Sequence, residues 1–233
     1  MQSNDPHDPT DQQHRPHSKT TTQPQSAQRR SKSAEEIADA YADVADKLAR
    51  WRQLDQLFAG RYRRRQFKHV QGRVLDVACG TGRNFRYLPN ASEVVGIDIS
   101  AELLAHARDA LDRLDLDGTV HQMDAQALAF PDDSFDTVIS SFSTCTFPDP
   151  FTALHEMERV CTPDGEILLL EHSRSDVAPL AWLQECRAEA HYEKNGCRLN
   201  HDPLTTVKQA GLPVENTATA FFGLVTTIDA TPR

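Results

Sequence analysis

RVLDVACGTGRN, Arg73 to Asn84, is the stretch that decides the fold. Val74, Leu75 and Val77 form a β-prone apolar run that passes directly into a glycine turn, after which the chain reads as a helix. Gly80 and Gly82 let the backbone bend tightly and pass close to a ligand that any Cβ would obstruct. Sixteen residues beyond Gly82, Asp98 closes a second apolar run, VVGIDIS. In nucleoside-binding α/β folds an acid at the end of the second strand accepts hydrogen bonds from both ribose hydroxyls, because a carboxylate offers two acceptor oxygens. The expected ligand carries a ribose.

Outward from this loop, apolar strands and amphipathic helices alternate. The pattern predicts strands over 73–78, 93–98, 119–123, 135–141 and 165–171, with helices over 83–88, 101–113 and 150–160. Ser100 with Glu102 marks a helix start, and Pro163-Asp164-Gly165 marks a turn that launches EILLLEH. Pro179 opens a further helix that Asn195-Gly196 ends, and Pro213 to Thr231 reads as a final hairpin. Such alternation specifies a parallel sheet covered by helices on both faces.

Upstream, Ile37, Tyr41, Val44, Leu48 and Trp51 recur three or four residues apart, so 34–70 is expected to be a helical brace. Residues 1–33 are rich in Gln, Ser, Thr, His, Asp and Pro and nearly devoid of large apolar residues. Such a stretch cannot offset its ordering entropy by burial, and a disordered tail is expected. The remainder, 71–233, is expected to be one α/β domain.

No stretch of the chain approaches the roughly 20 apolar residues needed to cross a bilayer, and the start lacks the apolar core of a secretory signal. A cytoplasmic protein without a transmembrane segment is expected. The five cysteines are odd in number and form no CxxC pair, which speaks for reduced thiols and against a disulfide framework or a zinc site, so no metal is expected. The formal net charge of −9 disfavours nucleic acid as a partner. The basic run Arg61 to Arg65, RYRRR, is read as a solvated helix face in preference to an RNA or anionic-lipid contact. Nothing in the sequence indicates the oligomeric state.

A dinucleotide fingerprint would need a small residue where Phe85 stands, so the glycine loop alone does not identify the ligand. The flanking motifs do more. VLDVACGTG, then VVGIDIS, MDAQALAFPDDSFDTVIS and RVCTPDGEILLLEH resemble the class I S-adenosylmethionine-dependent methyltransferases in order and spacing, over roughly Tyr41 to Glu171. The resemblance implies a Rossmann-like, doubly wound seven-stranded sheet of order 3-2-1-4-5-7-6 with strand 7 antiparallel. It also implies S-adenosyl-L-methionine as cofactor. Asp76 and the loop Ala78, Cys79, Gly80, Thr81 and Gly82 would hold the methionine end. Asp98 would take the ribose, Ile99 would lie against adenine, and Asp124 with Ala125 would read the adenine edge. Cys79 itself reads as a small loop residue and not a nucleophile, since no adjacent base activates it.

Methyl transfer demands few side chains, so the acceptor is less legible. SSFSTCTF, Ser140 to Phe147, and Glu171-His172 follow the fourth and fifth strands and should face it. Phe142 and Phe147 could line an apolar pocket, and His172 is the candidate general base. Neither the [ND]PP[YF] motif nor a PC dipeptide is present, which disfavours base methylation. EHSRSDVAPLAWLQ followed by NGCRLN is similar to bacterial phosphatidylethanolamine N-methyltransferases and lipid-associated thiol methyltransferase-like proteins, although Asn200-His201 stands where arginine often follows. The motifs also resemble ubiquinone and menaquinone methyltransferases. The expected activity is methyl transfer to a small-molecule or lipid-like acceptor. The alternatives are an NAD-dependent oxidoreductase and a non-catalytic cofactor-binding scaffold.

Overall fold

The computed structural model describes residues 31–42, 56 and 58–233. The expected tail as far as residue 30, and the brace positions Val44, Leu48 and Trp51, lie outside them. Residues 31–33 lead into helix α1 (Ala34–Ala42) through a reciprocal cap. Ser33 Oγ accepts the Glu36 N–H at 3.2 Å, and Glu36 Oε2 accepts the Ser33 N–H at 2.7 Å. Ile37 then packs on Gly196, whose missing Cβ leaves it room.

Helix α2 (Gly60–Phe67) precedes β1 (Gly72–Val77) and β2 (Ala91–Asp98). Helix α3 (Ala101–Leu114), β3 (Gly118–Gln122), β4 (Phe135–Ser141), α4 (Pro150–Val160) and β5 (Cys161–His172) complete the alternating part. Helices α5 (Ala178–Asn195) and α6 (Pro203–Gln209) then lead to the hairpin β6 (Val214–Ala220) and β7 (Val225–Ala230). The seven strands form one sheet of order β3-β2-β1-β4-β5-β7-β6. Strand β7 runs antiparallel to both neighbours, and the remaining pairs are parallel.

Alternation along the strands sends successive side chains to opposite faces. Val74, Val94, Val120 and Leu168 pack with Phe67, Leu104 and Leu111 beneath α2 and α3. Leu75, Val95, Val138 and Leu169 pack with Leu154, Met157 and Val207 beneath α4 and α6. The sheet is therefore covered on both faces, as the sequence pattern requires.

Local chemistry accounts for the element boundaries. Ser100 Oγ accepts the Leu103 N–H and starts α3. Asp149 accepts from Phe151 and Thr152 to start α4, and Gly196, at φ 67°, closes α5. Three expectations needed correction. The helix over 83–88 is only a 3-10 turn, Phe85–Tyr87, because Pro89 disfavours a helical Leu88 and offers no N–H to continue. Strand β5 begins at Cys161, so Pro163-Asp164-Gly165 forms an irregularity within the strand and not a turn before it. Helix α6 was not anticipated, although Asp202 caps it and Pro203 opens it in the standard way. No helix among the described residues is long and apolar enough to cross a membrane.

Leu169 is fully buried in β5, at the centre of the face covered by α4 and α6. Leu169→Ala is expected to lower the unfolding free energy by about 2–5 kcal/mol through lost burial and a residual cavity. Urea denaturation followed by circular dichroism would check this, and a loss under about 1 kcal/mol would contradict the packing described.

Candidate functional site

The strand order reverses between β1 and β4, which opens a crevice at the carboxyl ends of β1, β2 and β4. A cavity of about 260 Å³ lies there. The β1–β2 loop forms its floor, with positive φ at Ala78 (55°), Gly80 (56°) and Gly82 (70°). The two glycines serve different ends. A Cβ on Gly80 would meet nothing within 4 Å, so this position faces open space and admits a ligand. A Cβ on Gly82 would come within 2.6 Å of the Phe85 ring. Gly82 is needed for packing.

Phe85 is fully buried and also sits against Gly96 of β2, filling the gap that a third glycine would leave in a dinucleotide-binding turn. Cys79 points inward against Gly96, and burial pushes its thiol well above the ordinary range, which keeps it protonated and unreactive.

Asp98 stands at the end of β2 and is almost completely buried. Its Oδ2 accepts the Gly80 N–H at 2.9 Å and its Oδ1 the Ser100 N–H at 3.0 Å. Burial raises its pKa, and these two N–H groups oppose the rise. Each oxygen keeps acceptor capacity for a further donor. Asp124 closes a local turn, with Oδ1 accepting the Gln126 N–H at 2.9 Å and both oxygens accepting its side-chain amide. Gln126 Oε1 in turn accepts the Asp149 N–H, tying this wall to the start of α4.

Ala78, Cys79, Gly80, Thr81, Asp98, Ile99, Asp124 and Ala125 all line the cavity. Asp76, Gly82 and His172 do not. Asp76 lies behind the wall, fully buried, with Oδ1 accepting from Asn84 Nδ2 at 2.9 Å. Its Oδ2 has no hydrogen-bond partner among the described residues. Burial pushes its pKa up to about 7, against the opposing Asn84 bond and the Arg63 charge.

Arg63 and Asn84 line the cavity and were not anticipated. The reading of RYRRR as a solvated face holds for Arg61, Arg64 and Arg65 but not for Arg63, which is buried. Its Nε donates to Asn84 Oδ1 at 2.8 Å, and its guanidinium lies 5.4 Å from the Phe142 ring centroid. The signal was present in the sequence: Gly60, Arg63 and Phe67 share one face of α2, and Phe67 marks that face as buried.

Across the cavity, Phe142, Ser143, Thr146 and Phe147 of the β4–α4 loop form the opposite wall, and Tyr41 of α1 joins them. Glu171 braces this loop from below, accepting the N–H groups of Ser143 at 3.1 Å and Thr144 at 3.3 Å. It is fully buried, and its pKa is pushed up to about 7 by that burial. His172 turns away from the cavity toward Cys197, with Nε2 3.1 Å from Sγ.

Residues 75–169 match a methyltransferase domain family. A phosphatidylethanolamine N-methyltransferase of Cereibacter sphaeroides is 40% identical over 131 residues, which is 54% of this chain and 64% of that protein. A ubiquinone/menaquinone biosynthesis C-methyltransferase of Geobacter sulfurreducens is 34% identical over 159 residues, 62% of this chain and 61% of that protein. The chain thus spans less than two thirds of the length of either relative. Among solved structures, an S-adenosylmethionine-dependent methyltransferase of Aquifex aeolicus superposes with a TM-score of 0.60 at 18% identity, covering 82% of this chain and 98% of that one. The [4+2]-cyclase SpnF superposes at 0.67 with 17% identity, covering 86% and 96%.

Residues 75–169 thus match a methyltransferase domain, set in a fold shared with S-adenosylmethionine-dependent methyltransferases, and that match implies S-adenosyl-L-methionine as cofactor. The residues present suit that cofactor: an open face over Gly80 and spare acceptor capacity on Asp98.

Asp76 and Glu171 both titrate near 7 in the folded chain, against ordinary values of 3.8 and 4.5. The native state therefore retains two protons that the unfolded chain releases, and stability is lost as pH rises from about 4 through about 7. Denaturant titrations of the cofactor-free protein at stepped pH should show this fall, and Asp76→Asn should flatten part of it. A slope that Asp76→Asn leaves unchanged would contradict the burial assigned to this carboxylate.

Proposed function

We propose that this protein transfers a methyl group from S-adenosylmethionine to a small, lipid-like acceptor by in-line displacement. The observation that carries the reading is the Asp98 carboxylate, held at the cavity rim by the N–H groups of Gly80 and Ser100, beside a loop whose Gly80 leaves open space. Bound S-adenosylmethionine supplies an electrophilic methyl on a sulfonium, so the donor already carries the activation.

The chain's own work is to bind and orient. Among the residues that line the cavity, Asp98 would accept from the ribose hydroxyls, Ile99 and Met123 would flank the adenine, and Asp124 with the Ala125 backbone would meet its edge. The loop at Gly80 and Thr81, which lines the cavity, would face the methionine carboxylate, while the N–H groups of Gly80 and Gly82 stay bonded to Asp98 and to the Cys79 carbonyl. Asn84, which lines the cavity, would face the methionine end, with Asp76 bonded behind it as a buried acid that would favour the cationic ammonium. Phe85 argues against the nicotinamide alternative, because its ring occupies the close helix–strand contact that a dinucleotide fold leaves to glycine.

Phe142, Phe147 and Tyr41 suit an apolar acceptor, excluding water and setting the attack angle. The names of the two curated relatives, a phospholipid and a quinone methyltransferase, support a lipid-like substrate. So does the surface near α2, where the exposed Phe58 and Phe221 rings pair and Arg61 lies over Phe221, two residues from the cavity residue Arg63. Aromatic and basic groups together suit the boundary of a bilayer.

Asp98→Ala is expected to weaken S-adenosylhomocysteine binding by about 1–3 kcal/mol, measured by isothermal titration, with unchanged affinity contradicting the ribose assignment. Incubating the protein with methyl-labelled donor and separate lipid, quinone, thiol and amine extracts should label a lipid or quinone fraction. Binding without turnover on any extract would favour a non-catalytic scaffold, and tighter binding of NAD than of S-adenosylhomocysteine would favour the oxidoreductase.

A further inference from the structure

Three potential metal donors that the proposed methyl transfer does not use converge beside the cavity. Cys145 lies in the β4–α4 loop, His172 ends β5, and Cys197 follows the Gly196 cap of α5. Cys145 Sγ is 3.4 Å from Cys197 Sγ, His172 Nε2 is 3.1 Å from Cys197 Sγ, and all three donor atoms lie within 4.8 Å of one another. We propose that Cys145, His172 and Cys197 form a binding site for zinc or a similar borderline-soft divalent cation.

Donor chemistry and geometry both favour it. Two sulfurs and an imidazole nitrogen are the ligand types zinc prefers. With bonds of about 2.3 Å to sulfur and about 2.0–2.1 Å to nitrogen, tetrahedral zinc sets its donors roughly 3.5–3.8 Å apart, so the three atoms need shift only on the order of an ångström. The backbone already holds the two loops together. Arg198 N–H donates to Cys145 O at 3.2 Å, while Arg198 Nη1 donates to Cys145 O at 3.3 Å and to Phe147 O at 3.1 Å. The ligands are thus preorganised, and the cation replaces the hydrogen bonds now linking the three groups. Three protein donors leave a fourth position for water or another small ligand.

The consequence reaches the cavity through one loop. Ser143, Thr146 and Phe147, which flank Cys145, line the cavity wall. Binding would fasten this wall to the end of β5 and to the segment after α5. The sequence reading excluded zinc because no CxxC pair exists, but here the donors come from three distant segments that only the fold brings together. The site rests on its own geometry and does not depend on the methyl acceptor.

The full-length protein, stripped with chelator under reductant and titrated with Co²⁺, is expected to bind one equivalent. Thiolate-to-cobalt charge-transfer absorption and the intense visible bands of a tetrahedral site should appear, and Zn²⁺ should bleach them. Cys197→Ser or Cys145→Ser should weaken uptake at least about tenfold. Cys186→Ser, on an exposed face of α5, should leave it unchanged. A second measurement needs no variant: Zn²⁺ should protect Cys145 and Cys197, but not Cys186, from alkylation as mapped by mass spectrometry. Absence of the charge-transfer bands, uptake that survives Cys197→Ser, or equal alkylation with and without Zn²⁺ would overturn the proposal. So would a Cys145–Cys197 disulfide that forms in air despite saturating Zn²⁺.

Discussion

A buried carboxylate at the end of β1 is the constraint on which the site depends. Asp76 is removed from water and hydrogen-bonded through one oxygen only, so its charged form is unfavourable unless nearby groups compensate. Compensation comes along a chain: Asn84 donates to Asp76, Arg63 donates to Asn84, and Arg63 in turn stacks toward Phe142. Four separate segments, β1, the loop after it, α2 and the loop after β4, are thereby placed relative to one acid. The cavity is the space these segments leave between them. A purely apolar residue at position 76 would satisfy the strand but would remove the reason for Asn84 and Arg63 to face inward.

The same arrangement explains why most of the fold was legible in the sequence and part of the site was not. Strands such as Phe135–Ser141 and helices such as Pro150–Val160 are set by periodicity and local caps, which a single chain displays directly. Asp98, Gly80 and Asp124 belong to motifs whose spacing fixes their place at strand ends. Arg63 is different. Its basic neighbours suggested a solvated face, and only the buried stripe that it shares with Gly60 and Phe67 contradicts that reading. The Cys145, His172 and Cys197 cluster could not have been read at all, because its members are brought together by the tertiary contacts of two loops and the end of β5.

Glycine illustrates how one residue type carries distinct physical information within a motif. At position 80 the missing Cβ leaves room for a ligand, whereas at positions 82 and 96 it leaves room for Phe85. The ring in turn takes the place of the close helix–strand contact that a third loop glycine would permit. A short 3-10 turn stopped by Pro89 then replaces the long helix of a dinucleotide-binding unit. The acid at the end of β2, Asp98, is thus placed as in other open α/β sheets, while the turn beyond β1 is shaped differently.

That difference leaves the reaction to the opposite wall. A cyclase with the same architecture shows that the sheet and its loop do not by themselves dictate the chemistry performed over them. The opposite wall of the cavity lies between Phe142 and Pro148, and the buried Glu171 holds this loop by two backbone N–H groups. Glu171 fixes the wall from inside the sheet, and Arg198 fixes it from outside by binding the carbonyls of Cys145 and Phe147. With both ends restrained, the apolar side chains of the loop present a fixed surface to the cavity. Specificity then rests on shape and water exclusion more than on any one titratable group. In the proposed methyl transfer that assignment matches a donor that arrives already activated, which leaves alignment as the main task.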